Sequence, residues 1–323
     1  MFKAIKINRY GSVDELKYEN INLKKLSKNE LLIKQISIGV NYHDIYVRKG
    51  LYKTLKLPGI PGCEAVGIIE DKGKDVKNFK LGDKIAYVTK NYGAYTTHRI
   101  LEQDYAVKVP HNLSNDLIAT NFLRAMTVDM LFNYVINKKN VEKIFVTAVT
   151  GGVGRILCQI GKKYGYEIYG SVSSLDKQKK AKNYGCEYTL INNKDNIPKE
   201  INEITNGEGV DIVFDSVGGE TITTSLSILK KRGHLVNFGQ SSGVINSINI
   251  SNLAEKSLTF SRPILFHYLE NKKNYNKIAN SAFKMLKMNL IFPSKISYKL
   301  EFASEAHKLL ENRKGGGSVY LVP

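Results

Sequence analysis

The chain has 323 residues, with 48 Lys and Arg against 30 Asp and Glu, a formal net charge of +18, and 42% apolar residues. That length suits two domains with cores of their own, and the composition is globular rather than disordered. No run approaches the roughly 18 apolar residues of a membrane-spanning helix, residues 1–6 alternate charged and apolar groups unlike a secretory leader, and three cysteines (Cys63, Cys158, Cys186) suit a reduced, cytoplasmic protein.

The first 120 residues hold short, partly alternating runs at 2–8, 31–39, 65–70, 83–88 and 94–99, bounded by Gly, Pro, Asn and Asp. That pattern predicts a β-rich domain of antiparallel strands. One helix interrupts it, Tyr42–Lys49, stopped by Gly50. The middle third changes period. Strands are expected at 143–149, Glu167–Val172, 187–191, 210–214 and 234–238, alternating with helices at 155–164, 175–184, 195–205 and 220–230. Units of strand and helix in this order predict a doubly wound α/β domain from about 121 to 262, with a parallel sheet and right-handed crossovers. The remainder reads as an amphipathic helix at 275–288, a turn at Pro293, a helix at 304–312 and a strand at Val319–Val322. This tail is expected to return to the first domain, leaving the α/β domain inserted within it.

The loop Thr147-Ala148-Val149-Thr150-Gly151-Gly152-Val153-Gly154 falls between the first strand and helix of the α/β domain. A helix N-terminus there offers unpaired N–H groups to an anion. Gly151 and Gly152 permit a tight turn and close approach of a pyrophosphate, and Gly154 lets the helix pack on the sheet. Ala148 stands where the usual G-x-G-x-x-G has its first glycine. Followed by four more strands of the same fold, the loop predicts dinucleotide binding, and the missing Gly-Lys-Ser/Thr excludes a mononucleotide P-loop. The second strand ends in Ser171-Val172-Ser173-Ser174 with Lys177 beyond and no acid at its tip, which favours NADP over NAD. Gly239-Gln240-Ser241-Ser242-Gly243 matches the nucleophile elbow of a hydrolase, but residues 244–250 alternate like a strand where that motif needs a helix. A loop lining the cofactor is the better reading. The six His and three Cys show no metal-ligand spacing, so no metal is expected.

The cations are dispersed: 20 basic and 13 acidic groups over residues 1–120, 18 and 13 over 121–262, 10 and 4 over 263–323. Only eight of the 48 are Arg, the better residue for bidentate phosphate and base contacts. A solvated lysine surface is expected, with nucleic acid not the partner, although such a surface attracts an anionic cofactor.

Gly39-Val40-Asn41-Tyr42-His43-Asp44-Ile45-Tyr46-Val47-Arg48-Lys49-Gly50-Leu51-Tyr52 and Pro61-Gly62-Cys63-Glu64-Ala65-Val66-Gly67 resemble the NADPH:quinone oxidoreductases. These form the zinc-free branch, including zeta-crystallin, of the medium-chain dehydrogenase/reductases. Gly151-Gly152-Val153-Gly154, Asp215-Ser216-Val217-Gly218, Phe238 with the glycine loop after it, Arg262-Pro263 and Leu321-Val322-Pro323 extend the likeness over essentially the whole chain. The resemblance implies a GroES-like catalytic domain (1–120 and 263–323), a Rossmann domain (121–262) and commonly a homodimer. In the zinc alcohol dehydrogenases a Cys stands at the place of Asn41, a His at that of Cys63 and another Cys near Leu123, so the resemblance also implies no zinc. It assigns the 2′-phosphate of NADPH to Ser173, Lys177 and Arg313, with Asn193 where the family often has a Tyr. Thr150, Gly151, Gly152, Val153, Gly154, Val217, Phe238, Gly239 and Ser241 would hold the rest of the cofactor. Asn41, Tyr46, Tyr52 and Thr127 would line the nicotinamide end. The expected reaction is hydride transfer to a quinone. The alternatives are reduction of conjugated enones or 2-alkenals, and an NADPH-regulated RNA-binding protein with little turnover.

Overall fold

The computed structural model describes residues 1–193, 195–245, 247–293, 295–312 and 318–323. From the N-terminus, the elements are β1 (Phe2–Lys6), β2 (Lys17–Ile21), β3 (Glu30–Gly39), α1 (Tyr42–Lys49), β4 (Glu64–Lys72), β5 (Lys84–Val88), β6 (His98–Glu102), β7 (Val107–Lys108) and α2 (Asn115–Met130). Next come β8 (Lys143–Val146), α3 (Gly154–Lys163), β9 (Glu167–Val172), α4 (Asp176–Asn183), β10 (Tyr188–Ile191), α5 (Ile197–Ile204), β11 (Val210–Asp215) and α6 (Ile222–Ser227). The chain continues through β12 (Leu229–Asn237), α7 (Ser251–Ala254), β13 (Thr259–Ser261), α8 (Leu265–Tyr268), α9 (Lys272–Leu286), β14 (Ile296–Lys299), α10 (Ala303–Glu311) and β15 (Val319–Val322). No described helix is long and apolar enough to cross a membrane. Two compact units result: Met1–Met126 with Phe266–Pro323, and Thr127–Leu265.

The first unit is β-rich. Its main sheet runs β14-β15-β3-β4-β5-β7, with β6 also on β3, and β1 pairs with β2 in a separate hairpin. Leu31, Ile33 and Ile38 of β3 are fully buried and pack with Ile5, Val47, Ile85 and Leu321. α1 has the bounds expected from the sequence, because Gly50 closes it at φ 78°; that left-handed position suits glycine. The strand expected at 94–99 is shifted to β6. Ala94 and Tyr95 instead give their N–H groups to the carbonyls of Gly62 and Pro61, at 3.1 and 3.0 Å, so the ladder on β3 starts only at His98.

The second unit is the expected doubly wound α/β domain. Its parallel sheet has the order β10-β9-β8-β11-β12-β13 among the described residues, which is 3-2-1-4-5-6 in the unit's own count. That is the dinucleotide-binding order, and its switch point lies between β8 and β11. α3 is buried from Gly154 to Gly161, and Pro198 sits in the first turn of α5, where its missing N–H costs nothing. The helix expected at 220–230 is cut short. α6 ends at Ser227 because Leu229 already pairs with Val210 as β12 begins. The described residues of 244–250 form no strand, and the three-residue β13 adds a sixth member that five expected strands left out.

Candidate active site

The C-terminal edge of the parallel sheet gathers the residues expected to hold a nucleotide. After β8 the chain turns tightly, with the Gly151 N–H donating to the Ala148 carbonyl at 2.8 Å. Ala148 itself has φ 51°. The alanine standing for the motif's first glycine has thus taken a conformation that glycine fills at lower cost. A Cβ on Gly154 would lie 2.5 Å from the Ala148 carbonyl oxygen and 3.0 Å from Val149 Cα. This glycine therefore lets the helix close on its own loop. The backbone N–H groups of Thr150, Gly152, Val153 and Gly154 donate to no described residue. Open amides at the start of a ten-residue helix are the donors an anionic pyrophosphate requires.

The neighbouring strand ends carry the remaining positions. Beyond β9, Lys177 Nζ donates to Ser173 Oγ at 2.8 Å on an exposed face. Beyond β10, Asn193 Oδ1 accepts the Asp195 N–H at 2.9 Å. A cavity of about 360 Å³ opens here, lined by Thr147, Ser171, Asn192, Asn193, Asp195, Thr221 and Ser225 over Phe145, Ile197 and Ile228. Of the expected site residues only Asn193 lines it. Arg313 lies outside the described residues.

The loops after β11 and β12 are strapped together by Asp215, Ser242 and Arg262, which the sequence reading placed in motifs without giving them a role. Asp215 is fully buried and accepts from the N–H groups of Val217 (2.7 Å) and Gly218 (2.9 Å) and the hydroxyls of Thr221 (2.6 Å) and Ser225 (3.1 Å). Ser242 N–H and Oγ both donate to the Val217 carbonyl, at 2.9 and 3.0 Å, and Ser241 N–H donates to Ser216 at 3.3 Å. A Cβ on Gly239 would meet the Ser216 carbonyl oxygen at 2.6 Å. Phe238 donates its N–H to the Asp215 carbonyl at 2.8 Å. Arg262 closes the strap from β13's end, donating to Asn237 Oδ1 and, at 2.8 Å, to Gln240 Oε1. The hydrolase-like motif is therefore a clasped loop, and the next helix starts only at Ser251. Beside the family motif that contains it, the local sequence signal at Asp215 is an aspartate ending an apolar strand.

In the first unit, Asn41 precedes α1 in extended conformation (φ −122°, ψ 157°). Its backbone N–H donates to the Asp44 carboxylate and its side-chain Nδ2 to Glu64 Oε2, both at 2.8 Å. The other oxygen of Glu64 accepts the Leu123 N–H at 2.7 Å. Burial raises Glu64 to about 7, against the downward pull of those two donors and of Arg124. Burial likewise raises Asp44 to about 7 and pushes the Cys63 thiol well up, so the thiol stays protonated. Gly39 must lack a side chain, since a Cβ would lie 2.5 Å from Glu64 Oε2 and 2.3 Å from the Ala119 carbonyl oxygen.

Tyr46 and Tyr52 are brought together, their rings 5.1 Å apart and edge-on. His43, also unmarked in the sequence reading, joins them. Its ring lies 5.5 Å from Tyr52, 5.3 Å from Phe266 and 5.8 Å from Tyr92, on which it stacks. Thr127, on α2, is buried and belongs to the second unit. Among the described residues no three His, Cys, Asp or Glu side chains converge as a metal site.

Comparison with known proteins agrees with both halves. Residues 27–111 match the alcohol dehydrogenase GroES-like domain and residues 152–281 the zinc-binding dehydrogenase model. Quinone oxidoreductase 1 of Escherichia coli is 32% identical over 327 residues, covering 100% of each chain. A 2-haloacrylate reductase of a Burkholderia species is 29% identical, over 100% of this chain and 99% of its own. Among solved structures, a quinone oxidoreductase of Pseudomonas syringae matches with a TM-score of 0.95 at 33% identity over 100% of both chains. The Escherichia coli quinone oxidoreductase complexed with NADPH matches at 0.93 and 32%, over 99% of this chain and 100% of that one. With full-length identity above 30% to quinone oxidoreductases and TM-scores above 0.9 to two of their solved structures, this chain belongs to the quinone oxidoreductase family of the medium-chain dehydrogenase/reductases.

Proposed function

We propose that this protein is an NADPH-dependent quinone oxidoreductase that works without a metal ion. The observation that carries the reading is the set of open amides at Thr150, Gly152, Val153 and Gly154, placed at the sheet's switch point in a chain of this family. NADPH, when bound, supplies the hydride. The open amides hold its pyrophosphate, with the positive end of α3 adding to the attraction. Ser173 and Lys177, with Arg313 and Asn193, hold the 2′-phosphate. One charge-assisted hydrogen bond of about 1.5–3 kcal/mol is enough for a tenfold preference over NADH. Val217, Phe238, Gly239 and Ser241 bound the cofactor from the strapped loops.

At the reacting end, Asn41 is held by Glu64 through one N–H and offers its other to the acceptor oxygen that gains charge. Tyr46 and Tyr52 orient a planar acceptor by ring contact. Asn41, a protonated Cys63 and Leu123 make no metal-ligand set. The acceptor must therefore be electrophilic by itself, as a quinone is. Three buried free cysteines suit a cytoplasmic setting. The proposal includes a homodimer: β13 has β12 as its one described neighbour, which leaves backbone groups on its other side for a second copy. Light scattering checks that state.

Loss of NADPH absorbance with 1,4-quinones and with 2-alkenals tests the activity. Quinone turnover is expected. Turnover of neither class overturns the reading, and turnover of 2-alkenals alone makes the protein an enone reductase.

A further inference from the structure

We propose that Thr54, Tyr92 and His43 form a proton relay from solvent to the reduced acceptor. The inference rests on the quinone reductase reading and names the proton source for that site. Thr54 is exposed, and its Oγ1 lies 2.6 Å from the Tyr92 hydroxyl. That hydroxyl lies 2.8 Å from His43 Nε2. Three hydroxyl and imidazole groups thus run in unbroken hydrogen-bond contact from the surface to the cluster of Tyr46 and Tyr52.

A half-buried histidine usually only completes a core. Two features distinguish this one. Its ring is flanked by Tyr52, Tyr92 and Phe266, so the Tyr92 hydroxyl is its hydrogen-bonding link to the surface. Its Nδ1 has no hydrogen-bond partner among the described residues. Burial also pushes His43 down to about 4, so the ring is neutral near pH 7 and carries one proton. With Nε2 accepting from Tyr92, that proton is on Nδ1, facing away from the surface end of the chain.

Hydride addition leaves a quinone as the hydroquinone monoanion, one proton short of product. The Nδ1–H bond of His43 breaks as an O–H bond forms on the product. Nε2 takes the phenolic proton of Tyr92, the Tyr92 oxygen takes the hydroxyl proton of Thr54, and bulk water restores Thr54. One proton crosses from solvent, and no residue changes oxidation state. After product leaves, Nδ1 takes a proton from water entering the emptied site while Nε2 returns its proton through Tyr92 and Thr54 to solvent, which restores the starting tautomer.

Tyr92→Phe removes the middle oxygen and keeps the ring. The expected result is a kcat about 10- to 100-fold lower with 1,4-benzoquinone, KM and NADPH affinity unchanged, and recovery of rate with added imidazole buffer. Wild-type kcat should not respond to buffer. An unchanged kcat in the variant, or a loss that no buffer acid rescues, overturns the relay. Wild-type protein that reduces no quinone overturns the functional reading and the relay with it. Should Tyr92→Phe fail to fold, Thr54→Val, at an exposed position, is expected to lose rate in the same rescuable way. Nitrogen NMR of the His43 ring in cofactor-free protein gives a readout apart from turnover. The Nδ1–H tautomer is expected in wild type, and an Nε2–H tautomer overturns the relay.

Discussion

Asn41 donates to one oxygen of Glu64 at 2.8 Å while the Leu123 amide donates to the other at 2.7 Å, so one buried carboxylate fixes both a side chain and the backbone of α2. This carboxylate has a consequence for stability against pH. Folded, it holds its proton up to about 7 because burial disfavours the charge; unfolded, it loses the proton near the ordinary value of about 4.3. The folded form binds more protons in between, so the stabilisation is complete below the unfolded value and is lost as pH rises through 7. Asp44 acts in the same sense. His43 and His307, held to about 4 and about 3 by burial, act in the opposite one: their contribution is present above about 6.5 and is lost as pH falls through those values. Glu64→Gln should therefore gain stability relative to wild type as pH rises from about 5 to about 8. Denaturant titrations across that range check it, and a difference independent of pH would show that Glu64 titrates normally.

The glycine loop predicts two substitutions of opposite sign. Ala148→Gly relieves a left-handed alanine and should raise thermal stability by up to about 1 kcal/mol. Gly154→Ala drives a Cβ against a backbone carbonyl that has no flexible end to give way. It should cost about 1–3 kcal/mol and weaken binding of NADPH and NADH together. Melting curves and cofactor fluorescence measure both.

Asp215→Asn replaces a carboxylate that accepts five hydrogen bonds, the Thr147 hydroxyl included, with an amide that must turn an NH₂ toward some of the same donors. A destabilisation of about 1.5–3 kcal/mol is expected, together with equal losses of NADPH and NADH affinity, because the loops are displaced rather than the phosphate site. Loss confined to NADPH would place Asp215 in phosphate recognition instead.

Lys177→Ala should weaken NADPH binding about tenfold or more and leave NADH unchanged. The difference between the two cofactors should shrink with added salt, since the Lys177–Ser173 pair is exposed. Isothermal titration at low and high ionic strength separates these effects. An equal loss for NADH would remove Lys177 from the 2′-phosphate.

Legibility in the sequence followed local signals. α1 was readable because Gly50 supplies its left-handed stop, and β9 and β15 because each is a β-branched or aromatic run with clear limits. α2 was invisible. Residues Ile118 to Leu131 are buried nearly throughout, so no polar face sets a helical period. β6 was misplaced because Ala94 and Tyr95 have strand-like chemistry but spend their N–H groups on a crossing loop. At the site, the glycine loop and the serine-lysine tip announce themselves through spacing. The Glu64 clamp and the His43–Tyr92 contact depend on partners 23 to 59 residues distant, and the strap joins Ser242 to Val217 across 25 residues, which no local window contains.

The pairing of β15 with β3, Tyr320 opposite Gly39, has a consequence for biosynthesis. The Tyr42 hydroxyl reaches Leu310, and Arg48 reaches Glu311, across the same long interval. A ribosome making this chain completes residues 127–265, a contiguous stretch, before any of those late partners exists. The α/β unit is therefore free to fold first, while the Ile38–Gly39 end of β3 waits as an open edge. Such an edge invites pairing with neighbouring chains. Slow synthesis of residues 266–323 would prolong that exposure, so aggregation during expression should depend on how quickly that stretch is translated.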